Sequence, residues 1–422
     1  MAPSDEKKPQ ALPASTTVCI VGAGPTGLAC ALGLQAKGVP FVMVDALAAG
    51  HNSSRAMGVQ SVGMEALHAL SPALADILVA DGVPCGTFCT KDVWERDVVY
   101  VTVSDLAPYT KFPYVLVLPQ HRFELRMREA LREPIYWQQR VTGLQESADG
   151  SAYQVRFESG ETLSAQYVVA ADGSNSTIRD LAGIRYLNPH TNQISAASPD
   201  DPNFIVADVR LKTPIPPNMP TDAVQVIIGG GGHGTFRPVA HGRRHGLVPH
   251  LLRDPRSGRA AQAPEPGTHP VPQIAEVFES TRYRTRSALA EHFLRSTATG
   301  HAHVLLAGDA AHKHSPAGGQ GMTVGLGDGC ALANAIAQHV AVSGGGSLAQ
   351  YANQRRVVAR KVIGIVEGVM EVEAGGEDWV SWGRSYVLWA LTKFQLVRRS
   401  FAYRISGLAD LHTLQLDHSG KH

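Results

Sequence analysis

Two aspartates, each at the end of an apolar run, are the residues of this chain best spaced to do chemistry. The first stands in Gly308-Asp309-Ala310-Ala311-His312-Lys313-His314-Ser315-Pro316, followed by Gly318-Gly319-Gln320-Gly321-Met322. Residues 304–307 read as a buried strand that delivers the Asp309 carboxylate to its C-terminal tip. A glycine-dense loop follows, then a helical Ala/Leu-rich segment over 324–340. Such a tip suits a sugar or ribityl hydroxyl, while loop amides suit a phosphate or an electron-rich ring edge. The second is Ala171-Asp172-Gly173, after an apolar run and before a Ser/Thr N-cap with Arg179 in the next turns. Either could be a β–α turn built for packing alone. Two of them converging on one nucleotide fold favour a ligand.

That nucleotide fold lies at the start of the chain. A β-branched run over 17–21 enters Gly22-Ala23-Gly24-Pro25-Thr26-Gly27, and a helix over 28–37 stops at Gly38. A second strand over 41–44 closes on Asp45. This is the full βαβ setting of a dinucleotide fingerprint. Gly22 allows the tight turn, Gly24 lets backbone approach a pyrophosphate, and Gly27 lets helix and strand pack closely. Asp45 is placed to accept from ribose hydroxyls. The fingerprint alone does not separate FAD from NAD(P). A second formal match, Gly229 to Gly234, precedes a short proline-containing strand and reads as a hairpin turn.

Other charged residues bear on an anion. Arg55 follows the second strand, where a guanidinium could pair a phosphate or simply be solvated. Gln120 and Arg122 open a helix running to about Arg132 and are either anion contacts or solvated first-turn residues. A helix is expected over 64–79, strands over 98–103 and 114–118, and an antiparallel pair over 152–157 and 162–170. Between Arg237 and Arg295 stand ten Arg and no Lys against five Asp/Glu, a field for NADPH phosphates or a phenolate, or a surface bias without function. Helices are expected over 348–372 and 379–406; the last is Trp-rich and covers the domain interface, a membrane surface or homodimer partner being the alternative.

Composition bounds the rest. With 422 residues, 44% hydrophobic and 18% charged, the chain reads as globular with two packed units. A net charge of +1 argues against a nucleic-acid binder. Five scattered cysteines read as reduced thiols in a cytoplasmic protein, and no secretory signal or apolar stretch of ~20 residues is seen. A metal role for His301, His303, His312 and His314 is set aside, because no carboxylate or Cys completes a ligand spacing. The expected fold is α/β: a Rossmann-like unit over 16–82, 119–186 and 296–345, interleaved with a mainly antiparallel substrate-binding unit over 83–118 and 187–295. Residues 1–15 read as a disordered tail and 346–422 as a C-terminal helical region.

Taken in order, the three motifs resemble the single-component (class A) flavoprotein aromatic hydroxylases, the group of p-hydroxybenzoate hydroxylase and phenol hydroxylase. The resemblance covers residues 17–340, and the His312-Lys-His314-Ser-Pro316 run is nearest the phenol hydroxylase branch. It implies FAD held by the fingerprint, with Asp45 on the ribose, Arg55 and Gln120 or Arg122 near the pyrophosphate, and Asp309 on the ribityl chain. Amides of 318–322 would face the isoalloxazine, and Asp172 belongs to the motif linked to both FAD and NADPH. It further implies that NADPH or NADH reduces the flavin, oxygen adds as a C4a-hydroperoxide, and a phenolic substrate attacks its distal oxygen. His312, His314 or Tyr283 would assist ionisation of the phenol, and the Pro316 loop would enclose it. The chain departs from the family at Asp45 (usually Glu), Thr323 (usually Asn) and Gly329 (usually Ala), and is expected to be without the thioredoxin-like domain of some phenol hydroxylases. Competing readings are a reductase or dehydrogenase on the same fold that uses no oxygen, and a non-catalytic flavin redox module.

Overall fold

The computed structural model describes residues 11–50, 58–92, 97–195, 203–214, 223–229, 232–236, 239–241, 245–253, 273–284, 286–314, 319–373 and 394–414. Its centre is a sheet in which strands His303–Leu306, Thr162–Ala170, Ser15–Val21, Phe41–Val44 and Ile135–Tyr136 run parallel and side by side. These strands are apolar because the sheet is covered on both faces. Side chains alternate across it. Val18, Ile20, Met43, Val169 and Leu305 enter one core, while Cys19, Val21, Val44, Val168 and Leu306 enter the other.

The first core is closed by α1 (Pro25–Ala36), whose residues Gly27 to Leu34 are all buried. Pro25 starts this helix where its missing N–H costs nothing, and Gly38 (φ +66) ends it in the left-handed region. The helix expected over 64–79 is two helices, α2 (Ser61–Leu70) and α3 (Pro72–Asp81). Pro72 disfavours α geometry at Ser71, whose hydroxyl instead caps α3 by accepting from Leu74 N–H. Next come α4 (Gln120–Glu129), α5 (Thr177–Leu181), α6 (Gly321–Ala341) and α7 (Ser347–Glu373). Helix α4 ends three residues before the expected Arg132.

The second sheet has the order Ile274–Arg284, Asn203–Leu211, His245–Arg253, Gly232–Phe236, Ala223–Gly229, Thr87–Asp92, Asp97–Thr102. All its neighbours are antiparallel except the pair Ala223–Gly229 with Thr87–Asp92. Gly229 pairs with Gly232 across a hairpin, so the second glycine-rich match opens no helix.

Two boundaries move. Ser15 already pairs with Ser164 and Leu12 packs on the core, so residues 11–15 are not a disordered tail. Strand Leu294–Ser296 pairs with His303–Leu306, which brings 294 and 295 into the first sheet. Of the helix expected over 379–406, residues 379–393 lie outside the described residues, and Gln395–Ile405 is helical. Its Ala402 is buried with Val101, Val103 and Leu106 of the second unit. Among the described residues no helix is long and apolar enough to cross a membrane.

Candidate functional site

Four strand tips end in register. Val21 is opposite both Val44 and Ala170, and Ala170 is opposite Leu306. Backbone bonds carry the register past the strands: Gly22 N–H donates to Val44, Ala171 N–H to Val21, and Ala307 N–H to Ala170. The fingerprint turn, Asp45, Asp172 and Asp309 are thereby set along one edge, outside the carboxyl ends of a parallel sheet, where α/β folds bind ligands.

The fingerprint glycines differ in their surroundings. A Cβ on Gly27 would lie 1.9 Å from the Gly22 carbonyl oxygen, and one on Gly22 (φ +106) 2.3 Å from that of Ala171. Those two are required by packing. A Cβ on Gly24 would meet nothing within 4 Å. Gly24 therefore lines open space at the head of α1, the space a pyrophosphate needs. Asp45 accepts from Ala23 N–H (2.7 Å) and Leu47 N–H (2.8 Å). The shorter carboxylate thus braces the turn itself, and each oxygen keeps a second lone pair for a ribose hydroxyl.

Thr26 explains another departure. Its hydroxyl would lie 2.4 Å from a Cβ on Gly308 or on Gly325, and its carbonyl 2.4 Å from a Cβ on Gly329. Helices α1 and α6 cross closely enough that only glycine fits at 329, where the family usually carries alanine.

Asp309 lies in a 3₁₀ turn, Gly308–Ala310, and is exposed while both its neighbours are buried. Several backbone groups around it are engaged. Gly308 (φ +58) donates its N–H to Asp328 (2.9 Å), Tyr186 hydroxyl donates to the Asp309 carbonyl, and Arg179 donates to the Ala310 carbonyl (3.4 Å). Asp172 accepts from Ile178 N–H (3.2 Å), while its Oδ1 and the Arg179 Nε are buried without a hydrogen-bond partner among the described residues. Burial pushes the Asp172 carboxyl up, against hydrogen bonds from Ser176 and nearby amides. An exposed carboxylate, an orphaned buried acceptor and donor, and an open glycine are what a polyhydroxylated, phosphorylated ligand would satisfy. The residues present fit FAD.

His312 is placed differently from the expectation of a base facing a phenol. It is 1% exposed, stacks on Phe293, and its Nε2 lies 2.6 Å from the Asp328 carboxylate. A ring so enclosed cannot reach a substrate; it holds Asp328. Asp328, fully buried, also meets Arg355 Nε at 2.6 Å. Burial alone would raise the Asp328 carboxyl, but Arg355 and His312 outweigh it and hold it below the usual carboxylate range.

His314 is half-buried, its ring 4.0 Å from where a Cβ on Gly321 would stand, beside the N-terminus of α6. Gly319 is left-handed (φ +59) and Met322 is buried. Gln320 turns its side chain to the Ile405 carbonyl (2.6 Å), and the Thr323 hydroxyl accepts from Gln60 N–H (3.0 Å). Gln120 and Arg122 are half-buried at the head of α4, where Gln120 donates to Glu124 (2.8 Å). Burial pushes the Glu124 carboxyl up, opposed by Gln120 and Arg128. Arg55, Pro316 and Gly318 lie outside the described residues; Tyr283 pairs with Phe204 in the second sheet, its side chain likewise outside them. All five cysteines are free and buried, and no group of three metal-binding side chains occurs among the described residues.

Tyr186, Asp328 and Arg355 were not singled out for a site role by the sequence. Asp328 was visible only as a family position, and nothing local marks Tyr186 or Arg355.

The chain matches the family described as FAD binding domain over residues 15–365. It is 29% identical over 374 residues to rifampicin monooxygenase of Rhodococcus hoagii, covering 82% of this chain and 69% of that protein. It is 27% identical over 334 residues to pentachlorophenol 4-monooxygenase of Sphingobium chlorophenolicum, covering 75% of this chain and 57% of that protein. Several of the curated relatives are thus spanned over little more than half their length. The fold is shared with p-nitrophenol 4-monooxygenase of Pseudomonas putida DLL-E4, with a TM-score of 0.76 at 21% identity, covering 96% of this chain and 99% of that one. The chain belongs to the family described as FAD binding domain, and the monooxygenases named above are what it is similar to.

Proposed function

We propose that this chain is an FAD-dependent, NAD(P)H-using monooxygenase that hydroxylates a phenolic or related aromatic substrate. The observation that carries the reading is the alignment of Gly24, Asp45, Asp172 and Asp309 on four adjacent strand tips. Relatives named for chlorinated and nitrated phenols support the substrate class. When bound, the flavin would supply electron transfer from the nicotinamide and activation of dioxygen.

The chain's own residues would bind, orient and exclude water. The open face at Gly24 and the head of α1 would take the pyrophosphate, Asp45 the ribose, and the Asp309 carboxylate the ribityl hydroxyls. The N-terminus of α6 at Gly321 and Met322 would place positive dipole at the ring edge. His314, beside that helix end, is assigned to hold a proton near the phenol; His312 is assigned to hold Asp328. With one nucleotide fold, the nicotinamide would bind transiently, drawn by the arginines between 237 and 295.

The test is spectroscopic. Purified protein should be yellow with non-covalent FAD, and anaerobic NADPH or NADH should bleach it faster when a phenol is present. Flavin that no nicotinamide reduces would count against a monooxygenase. Reduction that never leads to oxygen consumption would favour a dehydrogenase on the same fold.

A further inference from the structure

We propose that Tyr186 is a positioning residue for the Asp309 carboxylate, holding the 3₁₀ turn in the one geometry that presents it to the cofactor. The inference rests on the FAD reading above and assigns a role to a residue outside the three sequence motifs.

A three-residue 3₁₀ turn is weakly held by its own hydrogen bonds, and here it begins with a glycine in the left-handed region. Its shape must come from its neighbours. Tyr186 is 8% exposed and its hydroxyl donates to the carbonyl of Asp309 itself. That bond fixes the peptide from which the Asp309 side chain projects. The ring is held in turn by the Arg179 guanidinium, whose Cζ lies 3.8 Å from the ring centroid. Arg179 is 5% exposed and also donates to the Ser174 and Ala310 carbonyls. One stacked pair therefore takes two consecutive carbonyls of the turn.

The backbone frame points the same way. Tyr186 pairs with Ala290, Leu289 pairs with His312, and Ala290 N–H donates to Ala311. This small sheet carries Tyr186 on one outer strand and His312 on the other, so the turn is gripped from both sides. His312 acts through Asp328 on Gly308 N–H; Tyr186 acts directly on Asp309. Burial, with Asp309 and Asp172 nearby, pushes the phenol far above its ordinary range, so it remains a donor at any working pH.

The experiment compares wild type, Tyr186→Phe and Asp309→Ala. Phe keeps the ring and its stacking with Arg179 and removes only the donor. Each protein is stripped of flavin and titrated with FAD, and its thermal midpoint is read with and without saturating FAD. Losing one such hydrogen bond should weaken FAD binding in Tyr186→Phe roughly five- to tenfold. The upward shift of midpoint that FAD produces should shrink as well. A merely structural tyrosine would lower both midpoints equally and leave that shift and the affinity unchanged; this result overturns the proposal. If Asp309→Ala loses flavin while Tyr186→Phe binds like wild type, positioning fails and the flavin reading stands. If both variants bind like wild type, Asp309 is not a flavin ligand and the positioning proposal falls with that assignment; the FAD reading falls only if the wild-type protein takes up no FAD.

Discussion

Asp328 and Arg355 meet at 2.6 Å with neither exposed by more than 3%, and the other Asp328 oxygen takes the N–H of Gly308, one residue before Asp309. A carboxylate in α6 is thus part of the support of a strand tip twenty positions earlier. Arg355 extends the link, donating to the Thr413 hydroxyl (3.0 Å) and the Val324 carbonyl (3.3 Å). The Gly308–Ala310 turn, α6, α7 and the 3₁₀ turn Leu408–Leu414 are linked through one buried ion pair.

Breaking that pair should be costly. Asp328→Asn leaves Arg355 buried without a counter-charge, which destabilises a folded protein by about 3–5 kcal/mol. Urea melts of the variant should show a loss of that size. A loss below about 1 kcal/mol, as at ordinary surface sites, would mean the pair is not a structural hub.

The fingerprint glycines should separate stability from binding. Gly27→Ala drives a Cβ to 1.9 Å from a backbone oxygen and should give little folded protein. Gly24→Ala meets nothing within 4 Å, so the flavin-free protein should melt as wild type does. Its FAD affinity should nonetheless fall at least about tenfold, or about 1.4 kcal/mol, because the methyl fills the ligand's space. Calorimetric melts and flavin titrations of both variants read this contrast; normal FAD affinity in Gly24→Ala would move the pyrophosphate elsewhere.

Acid should weaken the other end of the sheet. His303 begins the strand that ends before Asp309, and burial, with His339 and His301 nearby, lowers its pKa from 6.5 to about 4. Between those values the unfolded chain binds the proton and the folded chain does not, so stability falls as pH drops through that window and levels below it. His339, whose ring shares a hydrogen bond with Tyr167 hydroxyl (2.7 Å), is also lowered by burial and adds in the same direction. His303→Gln should flatten the stability profile between pH 6.5 and 4. An unchanged slope would show that other groups set it.

The loop after Asp309 should govern coupling. Gly319 is left-handed (φ +59), a conformation that costs a β-branched residue about 1–3 kcal/mol. Gly319→Val should still consume NADPH but release more hydrogen peroxide and less hydroxylated product, because water is then less well excluded. Product and peroxide per NADPH consumed give the answer; an unchanged ratio would place the reaction away from this loop.

The parts of this site that the sequence made legible are local. The Gly22–Gly27 turn, the Asp45 strand end and the Asp309 tip each lie within a few residues of the strand that positions them, so spacing alone announced them. The helix expected over 64–79 failed where apolar periodicity outweighed the Ser71-Pro72 break. His312 was the harder case. The family resemblance implied a site-facing base there, but its partner Asp328 lies sixteen residues on, across a helix start. Tyr186 and Asp309 are 123 residues apart. No periodicity records such a meeting; it follows from the order of strands in the sheet, which the sequence expectation did not include.

The central claim is most directly tested by stoichiometry. An oxygen electrode, NAD(P)H absorbance and product chromatography are run together on the flavin-loaded protein with a panel of substituted phenols. The account predicts at least one phenol for which nicotinamide, oxygen and hydroxylated product change in equal amounts. Nicotinamide oxidation that proceeds with a phenol present but without oxygen uptake, or oxygen that returns wholly as peroxide for every phenol tried, would contradict it.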